Sequence, residues 1–367
     1  MVLDLRPLQC AYAGKGIGRY TLEMARRLAV DPEADSGKPP RYLIFSLILA
    51  EEDDPLPEIP ALIRAPRWKR PWLWDQFCLP YLLLYHGVRV FHNFTTLGPL
   101  PQVSFPSWYG FRSIATVHDW HMFGDDASEV EKFYRRTLRI RLQLRALPRA
   151  RHVVVDSEHV KRETQERSGV DPRRMIVLPL GADHLDSAPE ESWYMENFAL
   201  SVGDTPNKNL GFALKVLERM RGKYVHLNWV IVGGRKPILE QLGIAGSAAP
   251  SWITILGAPT DSRLKSCYQK ALCLLFPSTR EGFGIPVLEA MRLGCPVLAS
   301  NISPMKNLLD HGPALRRLGD REDWCEALSA LLFSPEAREA SIEAGRRRAE
   351  LFTWSAAAEA ARALYSR

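Results

Sequence analysis

Two glutamates eight positions apart flank a glycine-rich loop, and their chemistry suits a ligand with several hydroxyl groups. Glu281 follows an apolar run that ends near Pro277, and Glu289 lies in the first turn of a helix predicted to begin near Pro286. An ionised carboxylate only accepts hydrogen bonds, so each one can bind a pair of sugar hydroxyls. The glycines between them let backbone amides approach a ligand, and a helix N-terminus favours phosphate. The segment therefore predicts a site for two polyols joined by phosphates.

A simpler interpretation of the same segment stays open. Glu281 would then be a solvated loop residue, and Glu289 a charge that the helix dipole favours near an N-terminus. The strand–loop–helix order favours the ligand site, because open α/β sheets bind ligands at the carboxyl ends of their strands.

Two features of the first half of the chain also suggest binding. A glycine-rich turn, 14–18, follows the first predicted strand and precedes a helix, which suits a diphosphate or an acceptor. It lacks the G-x-G-x-x-G spacing of dinucleotide sites, and a plain tight turn is the alternative. His118 ends a predicted strand and is expected to point into a ligand-binding cleft, with Asp119 beside it or capping the next loop. A purely structural histidine is the other interpretation.

Short apolar runs alternate with helical segments through most of the chain, which predicts βαβ units and doubly wound parallel sheets. Two helices have clear end signals, one from Ser157 to Gly169 and one capped by Asn209. A stretch rich in Gly, Pro, Asp and Ser, 179–193, indicates a boundary between domains 1–182 and 183–353. The predicted strands are Val2–Leu5, Tyr42–Leu47, Val88–His92, Ser113–His118, His152–Asp156, Met175–Leu178, Phe198–Val202, Leu227–Val232, Trp252–Leu256, Cys273–Phe276 and Val297–Ser300.

The composition is that of a folded protein with an excess of positive charge. The 367 residues are 46% hydrophobic and 25% charged, and this length favours two domains. The formal net charge of +6 fits an anionic partner such as a nucleotide or a lipid phosphate. No apolar run reaches the roughly 18 residues of a transmembrane helix, and no signal peptide is recognisable, so the cytoplasm is the expected compartment. The six cysteines form no CxxC pair, and neither disulfides nor a metal site is expected.

A basic stretch with three tryptophans, 64–74, has the composition of a membrane-interface patch. An ordinary solvated loop with a few core tryptophans is the alternative. A second basic stretch, 135–151, could join the patch, and nucleic acid is not expected because no known binding module is present. The candidate acceptor or membrane contacts are Arg67, Trp68, Lys69, Arg70 and Trp72.

An ordered set of motifs along the chain resembles the retaining glycosyltransferases of family 4. The resemblance implies an α/β protein of the GT-B fold, in which two Rossmann-like domains with parallel sheets face each other across a deep cleft. The first domain would bind the acceptor, the second the nucleotide-sugar, and a last helix, 354–367, would pack back on the first domain. The motifs are Gly16–Tyr20, Thr116–Asp119, Val155–Glu158, Val177–Gly181, Pro206–Asn209, Phe276–Glu289, Gly294–Ser300 and Phe352–Trp354.

The resemblance also implies roles for individual residues. Glu289 would bind the nucleotide ribose, Glu281 would bind hydroxyls of the donor sugar, and Lys208 would neutralise the diphosphate as the leaving group gains charge. His118 would lie near the reacting centre and orient or polarise groups there. Further donor contacts are expected from Gly16, Gly18, Asn207, Arg235, Gly282, Phe283, Gly284 and Ile285.

One position departs from the family pattern. The family usually has an arginine close to the lysine, and Asp204 or Asn207 occupies that place here. Arg235, Lys236 and Arg280 are the candidates to substitute for it.

These expectations combine into one hypothesis, a retaining and metal-independent hexosyltransferase without a cofactor. It would move a hexose from a nucleotide-diphospho-sugar, with GDP-mannose as the first expectation, to a polyprenyl- or lipid-linked saccharide or an oligosaccharide. The product would belong to a bacterial surface polysaccharide such as lipopolysaccharide, made in the cytoplasm or on the cytoplasmic membrane face. Two alternatives are a catalytically degenerate GT-B protein that only binds a nucleotide-sugar and a sugar-nucleotide epimerase.

Overall fold

The computed structural model describes residues 1–10, 13–30, 43–50, 52–66, 71–96, 113–124, 136–193, 195–244, 248–310 and 312–365. The chain divides into two compact units. Unit 1 consists of Met1–Leu180 together with Trp354–Arg367, and unit 2 consists of Gly181–Thr353. The sequence analysis placed the division between residues 182 and 183.

Unit 1 is built on a parallel sheet of seven strands in the order β3-β2-β1-β4-β5-β6-β7. The chain runs outward from β1 to one edge, then returns to β4 and runs to the other edge. The direction of winding therefore reverses between β1 and β4, which is where doubly wound sheets bind ligands. The strands are β1 Val2–Asp4, β2 Phe45–Leu49, β3 Ala61–Ala65, β4 Phe91–Asn93, β5 Ser113–Val117, β6 His152–Val155 and β7 Met175–Val177.

In the part of unit 1 that the structure describes, the connecting α-helices are α1 Gly16–Ala29, α2 Pro71–Tyr85, α3 Leu138–Ala146 and α4 Glu158–Ser168. The end signals of α4 are confirmed. The side chain of Ser157 accepts a hydrogen bond from the Val160 amide, and Gly169 ends the helix in the left-handed conformation.

A buried ion cluster joins α2 to the middle of this sheet. The guanidinium of Arg6 is 1% exposed and pairs with Asp4 at 2.7 Å and with Asp75 at 2.5 Å. Asn93, at the end of β4, donates to Asp4 at 2.9 Å. Because a buried charge is costly without partners, this cluster fixes the polar side of α2 against β1 and β4.

Unit 2 contains a parallel sheet of six strands in the order β10-β9-β8-β11-β12-β13, and its winding reverses between β8 and β11. The strands are β8 Phe198–Val202, β9 Asn228–Val232, β10 Ile253–Leu256, β11 Cys273–Phe276, β12 Val297–Ser300 and β13 Leu315–Arg316. The helices are α5 Leu210–Arg221, α6 Arg235–Gln241, α7 Asp261–Lys270, α8 Ile285–Arg292, α9 Met305–Leu308, α10 Arg321–Phe333 and α11 Pro335–Ala349.

The apolar face predicted for α5 is confirmed, since all five of its predicted residues are buried in the core of unit 2. The predicted cap is wrong. Asn209 adopts the left-handed conformation, and its side chain makes no capping hydrogen bond.

The last helix, α12 Trp354–Tyr365, belongs to unit 1. Trp354 is fully buried, and its ring lies edge-on to that of Tyr20 on α1. His92 on β4 lies 2.6 Å from the hydroxyl of Tyr365 and 3.0 Å from that of Thr116. Burial, followed by the charge of His118, lowers the pKa of His92 to about 3, so this link is a neutral one.

All eleven predicted strands are present, with ends shifted by up to three residues. Two strands at sheet edges, β3 and β13, were not predicted. β3 covers part of the basic stretch, so Arg64 lies on a strand, while Trp72 and Trp74 lie on α2. The six cysteines form no disulfide in the described structure.

Candidate functional site

The best candidate site lies at the carboxyl edge of the sheet in unit 2. Lys208 follows β8 and Glu281 follows β11, and these are the two neighbouring strands between which the winding reverses. Loops that diverge at such a point leave a crevice, so the topology itself gives a reason for a ligand to bind here.

Lys208 and Glu281 form an ion pair, with 2.7 Å between Nζ and Oε1. Their side chains are 13% and 10% exposed, so the pair is shielded from water and held more tightly than a surface pair. The ammonium also lies 4.7 Å from the ring centre of Phe276, the last residue of β11. The sequence analysis named both charged residues but did not predict their contact.

Gly203 makes room for this lysine. It has a φ of +113°, and a Cβ there would lie 2.6 Å from Cε of Lys208. Any other residue would be strained in this conformation and would push the lysine side chain aside.

Two hydrogen bonds join the loops that carry the pair. The side-chain amide of Asn207 donates to the carbonyl of Arg280 at 2.9 Å, and the carbonyl of Asn207 accepts from the Thr279 amide at 2.8 Å. Asn207 thus fixes the positions of the two loops relative to each other. It thereby also helps to position Lys208 and Glu281, which these loops carry.

The glycine-rich loop leads directly into α8. Gly284 has a φ of +110°, Ile285 is the first helical residue, and Pro286 occupies the first turn as predicted. The ring of Phe283 is 7% exposed and packs edge-on against Phe352, so it anchors the loop to unit 2. Gly282 lies between this anchor and Glu281.

Glu289 is the fifth residue of α8 and lies in its second turn, because the helix begins at Ile285; the first-turn prediction is wrong. It is 5% exposed. The hydroxyl of Tyr268 on α7 donates to its Oε2 at 2.7 Å, and Nε2 of His184 lies 3.2 Å from its Oε1. Burial, followed by the charge of Glu289, raises the pKa of Tyr268 well above its usual value, so the phenol keeps its proton and stays a donor.

Sequence reasoning missed Tyr268 and His184. They reach Glu289 from a different helix and from a short 3₁₀ turn, Asp183–Leu185, and no local pattern links these segments to α8. Only the packing of α7 and α8 on the sheet brings them together.

The three candidates for the missing arginine differ in their surroundings. Arg235 and Lys236 are exposed at the start of α6, at the same edge of the sheet. Arg280 is half-buried, and its Nη1 is buried without a hydrogen-bond partner among the described residues. Asp204 serves the scaffold instead, since its carboxylate accepts from the Gly234 amide at 2.9 Å.

In unit 1, His118 lies just beyond β5 and has both ring nitrogens in hydrogen bonds. Nδ1 is 2.8 Å from Oδ2 of Asp156, and Nε2 is 2.7 Å from the carbonyl of Phe94. Both partners are acceptors, so the arrangement is satisfied only when both nitrogens carry hydrogen. Burial alone lowers the pKa of His118, but Asp156 and the Phe94 carbonyl outweigh it and raise the pKa above the usual value. The arrangement therefore favours the protonated form of His118, although burial also raises the pKa of Asp156. Asp119 accepts from the His121 amide and so caps the next turn.

The glycine-rich turn of unit 1 is shorter than predicted. α1 begins at Gly16, so Gly16 and Gly18 lie in the first turn of the helix and not before it. Gly18 is buried.

Four of the five candidate membrane contacts, at 67–70, lie outside the described residues. Trp72 is half-buried on α2, and Trp74 is part of the core of unit 1. Within the described ranges, no helix has the length and apolarity needed to cross a membrane. The same part of the chain contains no group of three or more His, Cys, Asp and Glu residues suited to a metal ion.

Each half of the chain matches a profile of a known protein family. The profile described as Glycosyltransferase Family 4 matches residues 14–184, and that of Glycosyl transferases group 1 matches residues 187–348. The chain belongs to the family 4 glycosyltransferases. Membership agrees with the two parallel sheets described above, which are those of the GT-B fold.

Two relatives of this family 4 glycosyltransferase act in O-antigen synthesis, by their names. The O-antigen chain mannosyltransferase RfbU of Salmonella typhimurium strain LT2 is 30% identical over 226 residues, which cover 60% of this chain and 61% of that protein. The O-antigen chain mannosyltransferase B of Escherichia coli is 24% identical over 375 residues, covering 94% and 93%.

Solved structures support the fold of this glycosyltransferase. The sucrose-phosphate synthase of Thermosynechococcus elongatus superposes with a TM-score of 0.71 at 20% identity, over 100% of this chain and 98% of that one. At this identity the likeness concerns the fold alone.

Proposed function

We propose that this protein is a retaining glycosyltransferase that moves a hexose from a nucleotide-diphospho-sugar to a lipid-linked or oligosaccharide acceptor in bacterial surface polysaccharide synthesis. The observation that carries the proposal is the buried Lys208–Glu281 pair at the point in unit 2 where the winding of the sheet reverses. A cation and a hydroxyl-binding carboxylate in one crevice suit a phosphate and a sugar that are joined to each other.

Three residues at this edge of the sheet would each bind a different group of the donor. Lys208 would bind the diphosphate, and phosphate oxygens would compete with Glu281 for its ammonium. Glu281, released in part from the lysine, would accept hydrogen bonds from hydroxyls of the sugar. Glu289 would accept from the ribose with the lone pairs that Tyr268 leaves open, since a carboxylate offers about four acceptor directions.

Arg280 is our candidate for the second cation on the diphosphate. Burying Nη1 of Arg280 without a hydrogen-bond partner costs free energy. A hydrogen bond to a phosphate oxygen would offset that cost. The carbonyl of the same residue is fixed by Asn207, one position before Lys208, so the backbone of Arg280 lies beside the lysine loop.

Mannose is the proposed donor sugar, and GDP-mannose the first donor to test. Support comes from the mannosyltransferase names of the O-antigen relatives. We place the reaction at the cytoplasmic face of the membrane that holds the lipid-linked acceptor.

The transfer is proposed to proceed on one face of the sugar, with no covalent enzyme intermediate. The leaving phosphate oxygen would take the proton of the acceptor hydroxyl while the bond to the new oxygen forms. His118 is not our candidate to accept that proton, because its two ring nitrogens already contact Asp156 and the carbonyl of Phe94. Its contribution would be a fixed positive charge. No metal and no cofactor enters this scheme, and loss of activity on adding a chelator would contradict it.

The experiment is a transfer assay with a panel of GDP- and UDP-sugars and with polyprenyl-diphosphate saccharides as acceptors. Proton NMR of the product would give its anomeric configuration, which equals that of the donor in a retaining enzyme. The expected result is turnover with GDP-mannose, lost in Glu289→Ala. Binding of nucleotide-sugar without turnover on any acceptor would support the degenerate alternative. A changed sugar in the absence of acceptor would support the epimerase.

A further inference from the structure

Four residues at the carboxyl ends of β4 and β5 lie on the same face of the unit 1 sheet. His92 and Phe94 are two positions apart, as are Thr116 and His118, and side chains two positions apart in an extended chain share a face. The register pairs His92 with Ile114, which places both pairs on the same side. His118 is therefore one member of a group of four neighbours, which we call the β4–β5 patch.

The members of the β4–β5 patch contact one another. Nε2 of His92 lies 3.0 Å from Oγ1 of Thr116. The ring of His92 packs on that of Phe94, with 4.5 Å between their centres. The carbonyl of Phe94 in turn lies 2.7 Å from Nε2 of His118. A displacement of His92 would therefore move Phe94, and with it a group that His118 contacts.

Side-chain contacts connect each end of α12 to this patch. The hydroxyl of Tyr365 lies 2.6 Å from Nδ1 of His92. At the start of the helix, Trp354 packs edge-on against Tyr20, with 6.1 Å between the ring centres. Tyr20 packs edge-on against His118 at 4.7 Å. The last helix of the chain thus constrains His118 from two directions.

The hydrogen bonds of His92 are shielded from water. His92 and Thr116 are fully buried, and Tyr365 is buried as well. Burial, followed by the charge of His118, lowers the pKa of His92 to about 3, so its ring is neutral and has one donor and one acceptor nitrogen. The two hydroxyls must therefore take opposite roles, one donating and one accepting. Such a buried chain defines one arrangement of its members, because a broken link leaves a polar group unsatisfied.

Tyr365 differs from the rest of the buried face of α12. The other buried residues of this helix bring no hydroxyl group to the sheet, and apolar packing alone would cover the sheet equally well. A phenol at this position therefore indicates a role beyond covering the core. The other buried residues are Trp354, Ala357, Ala358, Ala361 and Leu364.

We propose that Tyr365 is a positioning residue for His118. Its hydroxyl fixes the imidazole of His92, which holds Phe94 and thereby the carbonyl that the His118 ring contacts. The inference rests on the proposed role of His118 in the transfer. It adds that the last helix belongs to the apparatus that orients this histidine.

The first test observes His118 by NMR in the full chain labelled with 15N-histidine, without any donor. The signals of His118 are those missing from the spectrum of His118→Gln. Tyr365→Phe keeps the ring and removes the hydroxyl, and the ring-nitrogen chemical shifts of His118 should change. Thr116→Val removes the other hydroxyl bonded to His92 and should change the same signals. The two effects should be non-additive in the double variant, since both act through His92.

Ala360→Gly is the matched control on the same helix. Ala360 is exposed in the middle of α12, so glycine there weakens the helix without removing a contact to the patch. The melting temperatures of Ala360→Gly and Tyr365→Phe should both fall. Only Tyr365→Phe should change the His118 signals, and this separates positioning from a general loss of stability.

The second test is the transfer assay, at a temperature where each variant is folded. Tyr365→Phe should lower kcat by roughly tenfold, because a small displacement of a group at the reacting centre slows the reaction. KM for the donor should stay unchanged, since the residues proposed to bind the nucleotide lie in unit 2. Ala360→Gly should keep the kcat of the wild type.

The two tests separate the inference from the proposed function. Unchanged His118 signals in Tyr365→Phe, or the same change in Ala360→Gly, would overturn the inference. Changed signals with an unchanged kcat would overturn the part of Tyr365 in the transfer. A wild-type enzyme without transfer activity would contradict the proposed function, and the spectra alone would then decide whether Tyr365 positions His118.

Discussion

The ammonium of Lys208 lies 2.7 Å from Oε1 of Glu281, although 73 residues separate them in the sequence. The contact joins the loops after β8 and β11, and each charge reduces the cost of burying the other. A ligand that takes one partner must therefore satisfy both. A sugar diphosphate does so, since it carries an anion for the lysine and hydroxyl donors for the glutamate.

Replacing Lys208 should slow transfer. Lys208→Ala removes a charge that would stabilise the leaving diphosphate, so kcat should fall by roughly a hundredfold, or about 3 kcal/mol. Initial rates with the best donor of the panel measure this. Lys215→Ala, an exposed lysine on α5, is the control and should keep full activity. An active Lys208→Ala enzyme would remove the lysine from the mechanism.

Gly203→Ala should mimic the loss of Lys208 without touching a charge. The added methyl group would lie 2.6 Å from Cε of the lysine, so the ammonium must move away from its present position. Gly243→Ala is a matched control, since Gly243 also has a positive φ, +72°, but no atom within 4 Å of a new Cβ. Both variants carry backbone strain, since both glycines have a positive φ. Only Gly203→Ala should reduce kcat, and equal activities would mean that the lysine position is unimportant.

Arg280 should contribute to phosphate affinity. We expect Arg280→Ala to weaken the binding of GDP by roughly tenfold, as for the loss of one charge-assisted hydrogen bond. Guanosine, which lacks phosphate, should bind the variant and the wild type equally in calorimetry. Arg235→Ala and Lys236→Ala test the two other candidates under the same conditions. If either of them weakens GDP binding more than Arg280→Ala, the second cation has been placed on the wrong residue.

The order of elements in both units could be read from the sequence because buried parallel strands are short, apolar and bounded by turns. β11 is an example, with all four residues buried, and its predicted ends were correct. β3 and β13 were not predicted because they are edge strands. β3 carries the exposed Arg64, and β13 has only two residues, so neither produces a continuous apolar run.

The candidate site was only partly predictable for a related reason. Glu281 and Glu289 belong to one local strand–loop–helix pattern, which a sequence displays directly. Tyr268 and His184 contact Glu289 through the packing of separate elements. Such contacts produce no characteristic spacing of residues in the sequence. The exposure of Phe77, Tyr81 and Tyr85 on α2 was not predicted either, because an apolar helix shows no periodicity that separates its buried side from its exposed side.

Tyr268→Phe should reduce donor affinity by leaving Glu289 without the hydrogen bond that orients it. A hydrogen bond to a charged group is worth about 1.5–3 kcal/mol, so the dissociation constant of the nucleoside diphosphate should rise roughly tenfold. KM for the donor should rise with it, while kcat at saturating donor changes little. Tyr224→Phe, whose ring packs against Phe333, is the control. A lower melting temperature with unchanged nucleotide affinity would show that Tyr268 only supports the fold.

The His118–Asp156 pair should make the stability of the protein depend on pH. The pKa of His118 is raised in the folded state, so its stabilising contribution is fully present below the unfolded pKa of about 6.5. The contribution is lost as pH rises through the folded pKa, because the folded state then gives up the proton that satisfies both acceptors. Melting temperatures of the wild type should therefore fall as the pH rises above about 6.5.

His118→Gln removes the titrating group and should flatten this part of the pH profile, while His226→Gln, at an exposed position in unit 2, should leave it as in the wild type. Asp156→Asn is the complementary test. It leaves a buried imidazolium without its counter-charge, so the variant should be less stable by about 3 kcal/mol near pH 6, and the loss should shrink at higher pH. A wild-type profile that is flat or rises over this range would mean that His118 is neutral in the folded protein, and its two hydrogen bonds would then need a different proton arrangement.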